Sequence, residues 1–236
     1  MNIWRRFKQW LADGIDIISA IIKSQSGDPL AWESTIRKFE IHDQIQPPPA
    51  DVIVFTGSSS ITFWSTLERD MTPLPVINRG FGGSHIHDVV YYAPRLVVAY
   101  RPRAVVVFAG TNDLSGSKPK TAREVSDGYR AFVEVVQAAL PATPIYYISI
   151  TPTPSRWKYW PIVQETNRRI ELYTTTRPQL HFIDMTAAIL GPDGKPDRSL
   201  FRIDRLHPNK KGYAVWTSII KPILLADLNV EEGITS

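Results

Sequence analysis

Asp204-Arg205-Leu206-His207 stands near the carboxyl end of this 236-residue chain, and Thr56-Gly57-Ser58-Ser59-Ser60 stands near its start. A carboxylate three residues from an imidazole can share one loop or first helical turn with it, reaching the Nδ1 proton and leaving Nε2 free. A serine hydroxyl brought to that Nε2 supplies the parts of acyl transfer: a nucleophile, a base, and a carboxylate that fixes the base's tautomer. The remaining need is for N–H donors where the carbonyl oxygen becomes negative. Two donor-bearing segments, Asn78-Arg79-Gly80-Phe81-Gly82-Gly83 and Gly110-Thr111-Asn112-Asp113, lie between the serines and the histidine. Each feature taken alone is ordinary, because small hydroxyl residues are common in turns and helix caps. At this point Ser58, Ser59 and Ser60 are all candidate nucleophiles.

These side chains need a scaffold, and the pattern around them describes one. Short apolar runs alternate with longer helical patterns, which argues for crossover units and a parallel sheet. The spacing predicts strands over Asp51–Phe55, Pro75–Asn78, Ala104–Ala109, Ile145–Ile150 and His181–Ile183, mostly rich in the Val, Ile, Phe and Tyr of doubly buried strands. Helices are predicted over Ile86–Tyr100, Ala122–Leu140, Ile162–Thr174 and Lys211–Leu225. Pro47 to Pro49 mark a linker from amino-terminal helices into the first strand. In an open parallel sheet, ligands bind beyond the carboxyl ends of the strands, and the polar segments fall there: Gly57–Ser60 after the first strand, Gly80–Ser84 after the second, Gly110–Asp113 after the third. Phe55-Thr56-Gly57 followed by Ile61, Phe63 and Trp64 reads as a strand-to-helix turn, whose free N–H groups face an anion.

Composition narrows the classes. A hydrophobic content of 43% over this length suits one sizeable core. The absence of cysteine excludes a disulfide framework, a thiol nucleophile and a thiolate metal site. A net charge of +4, with scattered Lys and Arg, lacks the footprint of a nucleic-acid binder. Met1–Lys23 places Ile3, Trp4, Phe7, Leu11, Ile15, Ile18 and Ile22 at helical spacing behind Arg5, Arg6 and Lys8, which describes an amphipathic helix. Asp13 and Asp16 interrupt its apolar run, so it reads neither as a secretory signal nor as a membrane span, and the cytoplasm is the default expectation. Two readings of this helix stand: packing on the body or on a second subunit, and contact with a membrane surface. The expected organisation is thus 1–47, an amino-terminal helix and linker packed on the body, and 48–236, the domain that carries the chemistry.

Four separated motifs, Gly57-Ser58-Ser59-Ser60-Ile61, Asn78 to Gly83, Gly110 to Asp113 and Asp204 to His207, occur in the order found in the SGNH hydrolases of the GDSL lipase/esterase superfamily, which the chain resembles from about Asp51 to Trp216. The resemblance implies a three-layer α/β/α sandwich around a parallel, flavodoxin-like five-stranded sheet. It also implies that Ser59 is the nucleophile, His207 the base and Asp204 its partner. The oxyanion hole would comprise the Ser59 and Gly83 backbone N–H groups, with Gly82 the neighbouring alternative, and the Asn112 amide. No metal or organic cofactor is needed for such chemistry. The family's usual Gly-Asp-Ser reads Gly57-Ser58-Ser59 here, a change that bears on substrate class more than on hydrolysis.

Other residues have weaker signals. His85 and His87 suit the start of a helix better than a metal site, and His42 and His181 read as structural. Trp64 should lie buried beneath the nucleophile turn. The Pro-rich aromatic segment after the fourth strand offers Arg156, Trp157 and Trp160 as a substrate wall, the rings for sugar faces or acyl chains and the guanidinium for an acidic group. The expected activity is a serine esterase acting on small to medium acyl esters, with an acid limb near the ordinary histidine pKa of about 6.5. Carbohydrate O-deacetylation, lysophospholipid hydrolysis and thioester hydrolysis are the alternatives within that chemistry, and a non-catalytic ligand-binding protein is the alternative outside it.

Overall fold

The computed structural model describes residues 28–231, so the helix expected over Met1–Lys23 lies outside the described residues. In chain order the main elements are α1 (Glu33–Ile45), β1 (Ile53–Gly57), α2 (Ser59–Thr62), α3 (Leu67–Met71), β2 (Val76–Gly80), α4 (Ile86–Leu96), β3 (Ala104–Phe108), α5 (Ala122–Ala139), β4 (Ile145–Ile148), α6 (Trp160–Thr174), β5 (Leu180–Ile183), α7 (Thr186–Ile189) and α8 (Lys210–Asp227). Every strand pair is parallel. The strand order is β2-β1-β3-β4-β5, the flavodoxin-like order.

Alternate strand residues face opposite layers, as the two-residue period of a strand requires. Val54, Val105, Val107 and Tyr147 pack with Ile36 of α1, Val89 of α4, Phe132 of α5 and Ile170 of α6. Phe55, Val106, Phe108 and Ile148 pack with Ile61 of α2, Leu67 of α3, Ile189 of α7 and Trp216 of α8. This is a three-layer α/β/α sandwich, as the sequence implied. Among the predicted helices, the one over Ile86–Tyr100 is shorter than expected. Its helix ends at Leu96 because Val97 leaves helical space at φ −128°, and a 3-10 turn over Val98–Tyr100 completes the span.

Helix α1 is fastened to this body from both ends. Trp32 is buried edge-on to Phe81, with ring centroids 5.6 Å apart. Arg95 of α4 donates to Glu33 at 2.6 Å and to Glu40 at 2.7 Å. Near the helix's end, Asp43 accepts from the buried Arg79 and from Tyr100, each at 2.5 Å. Phe81 lies in the loop that follows β2, so α1 and the residue before it brace one of the segments singled out by the sequence. No helix among the described residues is long and apolar enough to cross a membrane.

Candidate active site

The turn after β1 is set by Gly57, whose φ of +127° is a conformation that other residues rarely adopt. A Cβ at that position would lie 2.0 Å from the Phe108 carbonyl oxygen of the neighbouring strand. Ser58 N–H donates to that same oxygen at 2.9 Å, which closes the turn and starts α2 at Ser59. Asn78 on β2 and Tyr213 on α8 then hold the short helix in place. The Asn78 amide donates to Ile61 O at 2.6 Å and the Tyr213 hydroxyl donates to Ser60 O at 2.8 Å. The backbone N–H groups of Ser59 and Ser60 belong to the first turn of this helix and point away from its own carbonyls.

The structure separates the three adjacent hydroxyls. Ser59 Oγ lies 2.7 Å from His207 Nε2, whereas Ser58 is buried with its Oγ unpartnered and Ser60 is buried on the helix. His207 Nδ1 is 2.7 Å from Asp204 Oδ2. The other carboxylate oxygen, Oδ1, accepts the backbone N–H groups of Leu206 at 2.9 Å and His207 at 3.0 Å. One carboxylate therefore folds its own loop and orients the imidazole within it. Arg205 takes a left-handed backbone at φ +57°, which brings the carboxylate and the ring to the same side. The ring is further confined by Phe63, edge-on at 4.8 Å.

Electrostatics suit a base facing a hydroxyl. Burial pushes the His207 imidazole below the usual histidine value; the Asp204 hydrogen bond and charge oppose that only in part, and the Arg202 and Arg156 charges add to the lowering. For Asp204, burial alone would raise the carboxyl, but the hydrogen bonds from His207 and Leu206 outweigh it and hold the group below its ordinary value. At neutral pH the arrangement is thus a neutral imidazole between a hydroxyl and an ionised carboxylate.

The glycine loop and the asparagine loop lie at the ends of the adjacent strands. Gly83 has φ +83°, and Ser84 O, the next carbonyl, accepts the Asn112 amide at 3.0 Å. Asp113 beneath them is fully buried. Its carboxylate accepts from Lys120 at 2.7 Å and from the Ile86 N–H at the start of α4 at 2.9 Å. Burial would raise the Asp113 carboxyl, yet His85 and the Lys120 ammonium hold it low. His85 caps α4, its N–H donating to Asp88 at 2.8 Å, so this histidine flanks a helix start as its spacing suggested. Among the described residues no group of three His, Asp or Glu side chains could hold a metal ion.

Arg156 and the two tryptophans come from the segment after β4, which reaches the histidine loop through Ser155 N–H to Arg205 O at 3.0 Å. Arg156 turns inward, its Nη1 donating to Thr111 O at 2.8 Å, Thr111 Oγ1 at 3.1 Å and Asn112 Oδ1 at 3.0 Å. Trp157 and Trp160 stack on each other at 5.8 Å beside Thr111 and Leu114. The crevice they share with that loop is only about 10 Å³, too small to admit an aryl or sugar ring. Trp64 is buried, as expected, and donates its indole N–H to Asp70. A larger cavity of about 430 Å³ between α1 and α2, lined by Trp32, Phe39, Thr62, Asn78 and Gly82 among others, had no sequence signal.

Residues 56–215 match the model of the GDSL-like lipase/acylhydrolase family. The chain belongs to this family. It is 27% identical over 210 residues to platelet-activating factor acetylhydrolase IB subunit alpha1 of Bos taurus, covering 86% of both chains. Solved structures share the fold. A GDSL-like lipase from Bacteroides thetaiotaomicron superposes with a TM-score of 0.69 at 20% identity, covering 81% of this chain and 98% of that one. A carbohydrate esterase family 3 enzyme from Talaromyces cellulolyticus gives 0.60 at 17% identity, covering 77% and 99%. As a member of this GDSL-like family the protein is a hydrolase acting on esters.

Proposed function

We propose that the protein is a serine carboxylic-ester hydrolase working on small to medium acyl groups through a covalent acyl-enzyme. The reading rests above all on the unbroken chain Ser59 Oγ, His207, Asp204, with both links at 2.7 Å. Ser59 attacks the ester carbonyl while His207 Nε2 takes its proton. The alkoxide that develops on the substrate is received by the Ser59 and Gly83 N–H groups and the Asn112 amide, and collapse of the tetrahedral intermediate expels the alcohol, protonated by His207. Water, deprotonated by the same imidazole, then releases the acid and restores Ser59. Asp204 keeps the Nδ1 proton in place throughout and stabilises the imidazolium without becoming protonated.

Support for the short end of the acyl range comes from the acetylhydrolase name of the bovine relative. A second reading, carbohydrate O-deacetylation, draws on the half-buried Trp157–Trp160 stack beside the Asn112 loop, whose outer faces suit a sugar ring. Rates on aryl acetate, butyrate and octanoate, and on acetylated xylan, should be compared between the wild type and Ser59→Ala. Loss of hydrolysis in an equally folded Ser59→Ala supports the reading, and the preferred substrate sets the class. Equal rates in both proteins would remove Ser59 from the reaction.

A further inference from the structure

An asparagine side chain can serve as an oxyanion donor only if its NH2, and not its carbonyl oxygen, faces the reacting atom. The two ends of the amide have the same shape, so packing alone does not choose between them; hydrogen-bond partners must. Around Asn112 those partners are unambiguous. Arg156 is a donor with no acceptor, and its Nη1 meets the amide at 3.0 Å, where only the carbonyl oxygen Oδ1 is tolerated. Ser84 O is an acceptor with no donor, and it meets the other end at 3.0 Å, where only Nδ2 is tolerated. Turning the amide over would set N–H against guanidinium and carbonyl against carbonyl, two repulsive contacts in place of two hydrogen bonds. Nδ2 carries two N–H bonds and Ser84 O takes one, which leaves the second for a ligand.

We propose that Arg156 is a positioning residue, which locks the Asn112 amide so that its uncommitted N–H serves the oxyanion. The proposal rests on the esterase reading above and adds to it a residue that does not touch the reacting atoms. The same Nη1 also grips Thr111 O and Thr111 Oγ1, so the backbone that carries Asn112 is fixed together with its side chain. Arg156 is itself placed by the 3-10 turn over Pro154–Tyr159, and its neighbour Ser155 is tied to Arg205 O in the histidine loop. The donor loop, the arginine and the base loop thus form one cross-linked unit at the carboxyl ends of β3 and β4.

The test is a double-mutant cycle on the full chain with 4-nitrophenyl acetate, measuring kcat and KM separately. Complete loss of an oxyanion donor costs about 10² to 10³ in turnover, which sets the ceiling for Arg156→Met. The expected result is a kcat lowered about tenfold or more with KM little changed, and a smaller loss in Arg156→Lys, which keeps a cationic donor group with no acceptor. In the Asn112→Ala background, Arg156→Met should add nothing, because the amide it orients is gone. Losses that multiply in the double mutant, an unchanged kcat in Arg156→Met, or an effect confined to KM would each overturn the proposal. Should Arg156→Met fail to fold by thermal melting, Arg156→Lys and Arg156→Gln carry the same cycle. Ser59→Ala is run alongside: if it stays active, the esterase reading fails and this one with it. If it is inactive and Asn112→Ala is slow while Arg156→Met is unaffected, only the role of Arg156 is refuted.

Discussion

Replacing Asp204 by asparagine isolates the tautomer of His207, because the structure leaves the new amide one acceptable orientation. Oδ1 of Asp204 accepts two backbone N–H groups, those of Leu206 and His207. An asparagine must keep its oxygen there, since its NH2 would otherwise face two donors. The NH2 then points at His207 Nδ1 across the 2.7 Å contact now made by Oδ2. Facing a donor, Nδ1 must become the acceptor, which moves the ring proton to Nε2 and removes the site that would take the Ser59 proton. A loop held as before with the wrong tautomer predicts a fall in kcat of about 10⁴, or about 5.5 kcal/mol of barrier. The Asp204 side chain is 46% exposed. Solvent therefore screens part of its charge, but the tautomer is set by direct contact and is little affected. The assay is steady-state hydrolysis of 4-nitrophenyl acetate together with thermal melting of both proteins. A folded Asp204→Asn that keeps kcat within about tenfold of the wild type would show that the Asp204 contact does not set the tautomer of His207.

Four further outcomes are expected. Because burial holds His207 below the ordinary value of about 6.5, the acid limb of kcat/KM should fall below that pH, not at it as the bare sequence suggested; a pH–rate profile with its midpoint at or above 6.5 would contradict this. Folding disfavours protonation of this ring, so its contribution to stability is complete above about pH 6.5 and declines as the pH drops toward the folded-state value, which melting temperatures across that window would report. Ser58→Ala and Ser60→Ala should keep turnover within a few-fold of the wild type, since neither hydroxyl meets His207, and a large loss in Ser58→Ala would assign its buried Oγ a role that the geometry does not give it. Trp32→Ala should lower stability by about 3–5 kcal/mol in denaturant unfolding, as large buried aromatics do, and a cost under about 1 kcal/mol would show that α1 braces the Phe81 loop less than its packing implies.

The sheet was legible in the sequence because its strands are buried on both faces and read as continuous apolar runs, Ala104-Val105-Val106-Val107-Phe108 above all. The edges of the elements were less so. The first strand was expected over Asp51–Phe55 and runs over Ile53–Gly57, since Gly57 still pairs with Gly80 and Phe108 although its residue type signals a turn. Helix α6 begins at Trp160, two residues before the expected Ile162, because Pro161 is favourable in a first turn. Helix α1 had no clear boundaries in the sequence: Ile41 and Ile45 are exposed and blur the buried stripe that holds Ile36.

At the site, Ser59, Asn112, Asp204 and His207 were legible as candidates from motif order, and of the three adjacent serines it is Ser59 whose hydroxyl meets His207. The supports around them were not. Arg156 lies 44 residues from Asn112 along the chain, and Tyr213 lies 153 from Ser60. No local pattern encodes such contacts; the crossovers that bring the strand ends together create them. Asn167 illustrates the same point, its amide bonding both the N–H and the carbonyl of Ile150 at 2.9 Å and so fixing the end of β4 from α6.

Acylation of Ser59 can be tested with a covalent probe. The intact protein would be treated with a fluorophosphonate and digested, and the modified residue located by mass spectrometry while ester hydrolysis is followed in parallel. One adduct is expected, on Ser59, appearing as activity disappears, and none in His207→Ala. Labelling of another residue with loss of activity, or full hydrolysis in protein labelled at Ser59, would contradict acylation of Ser59.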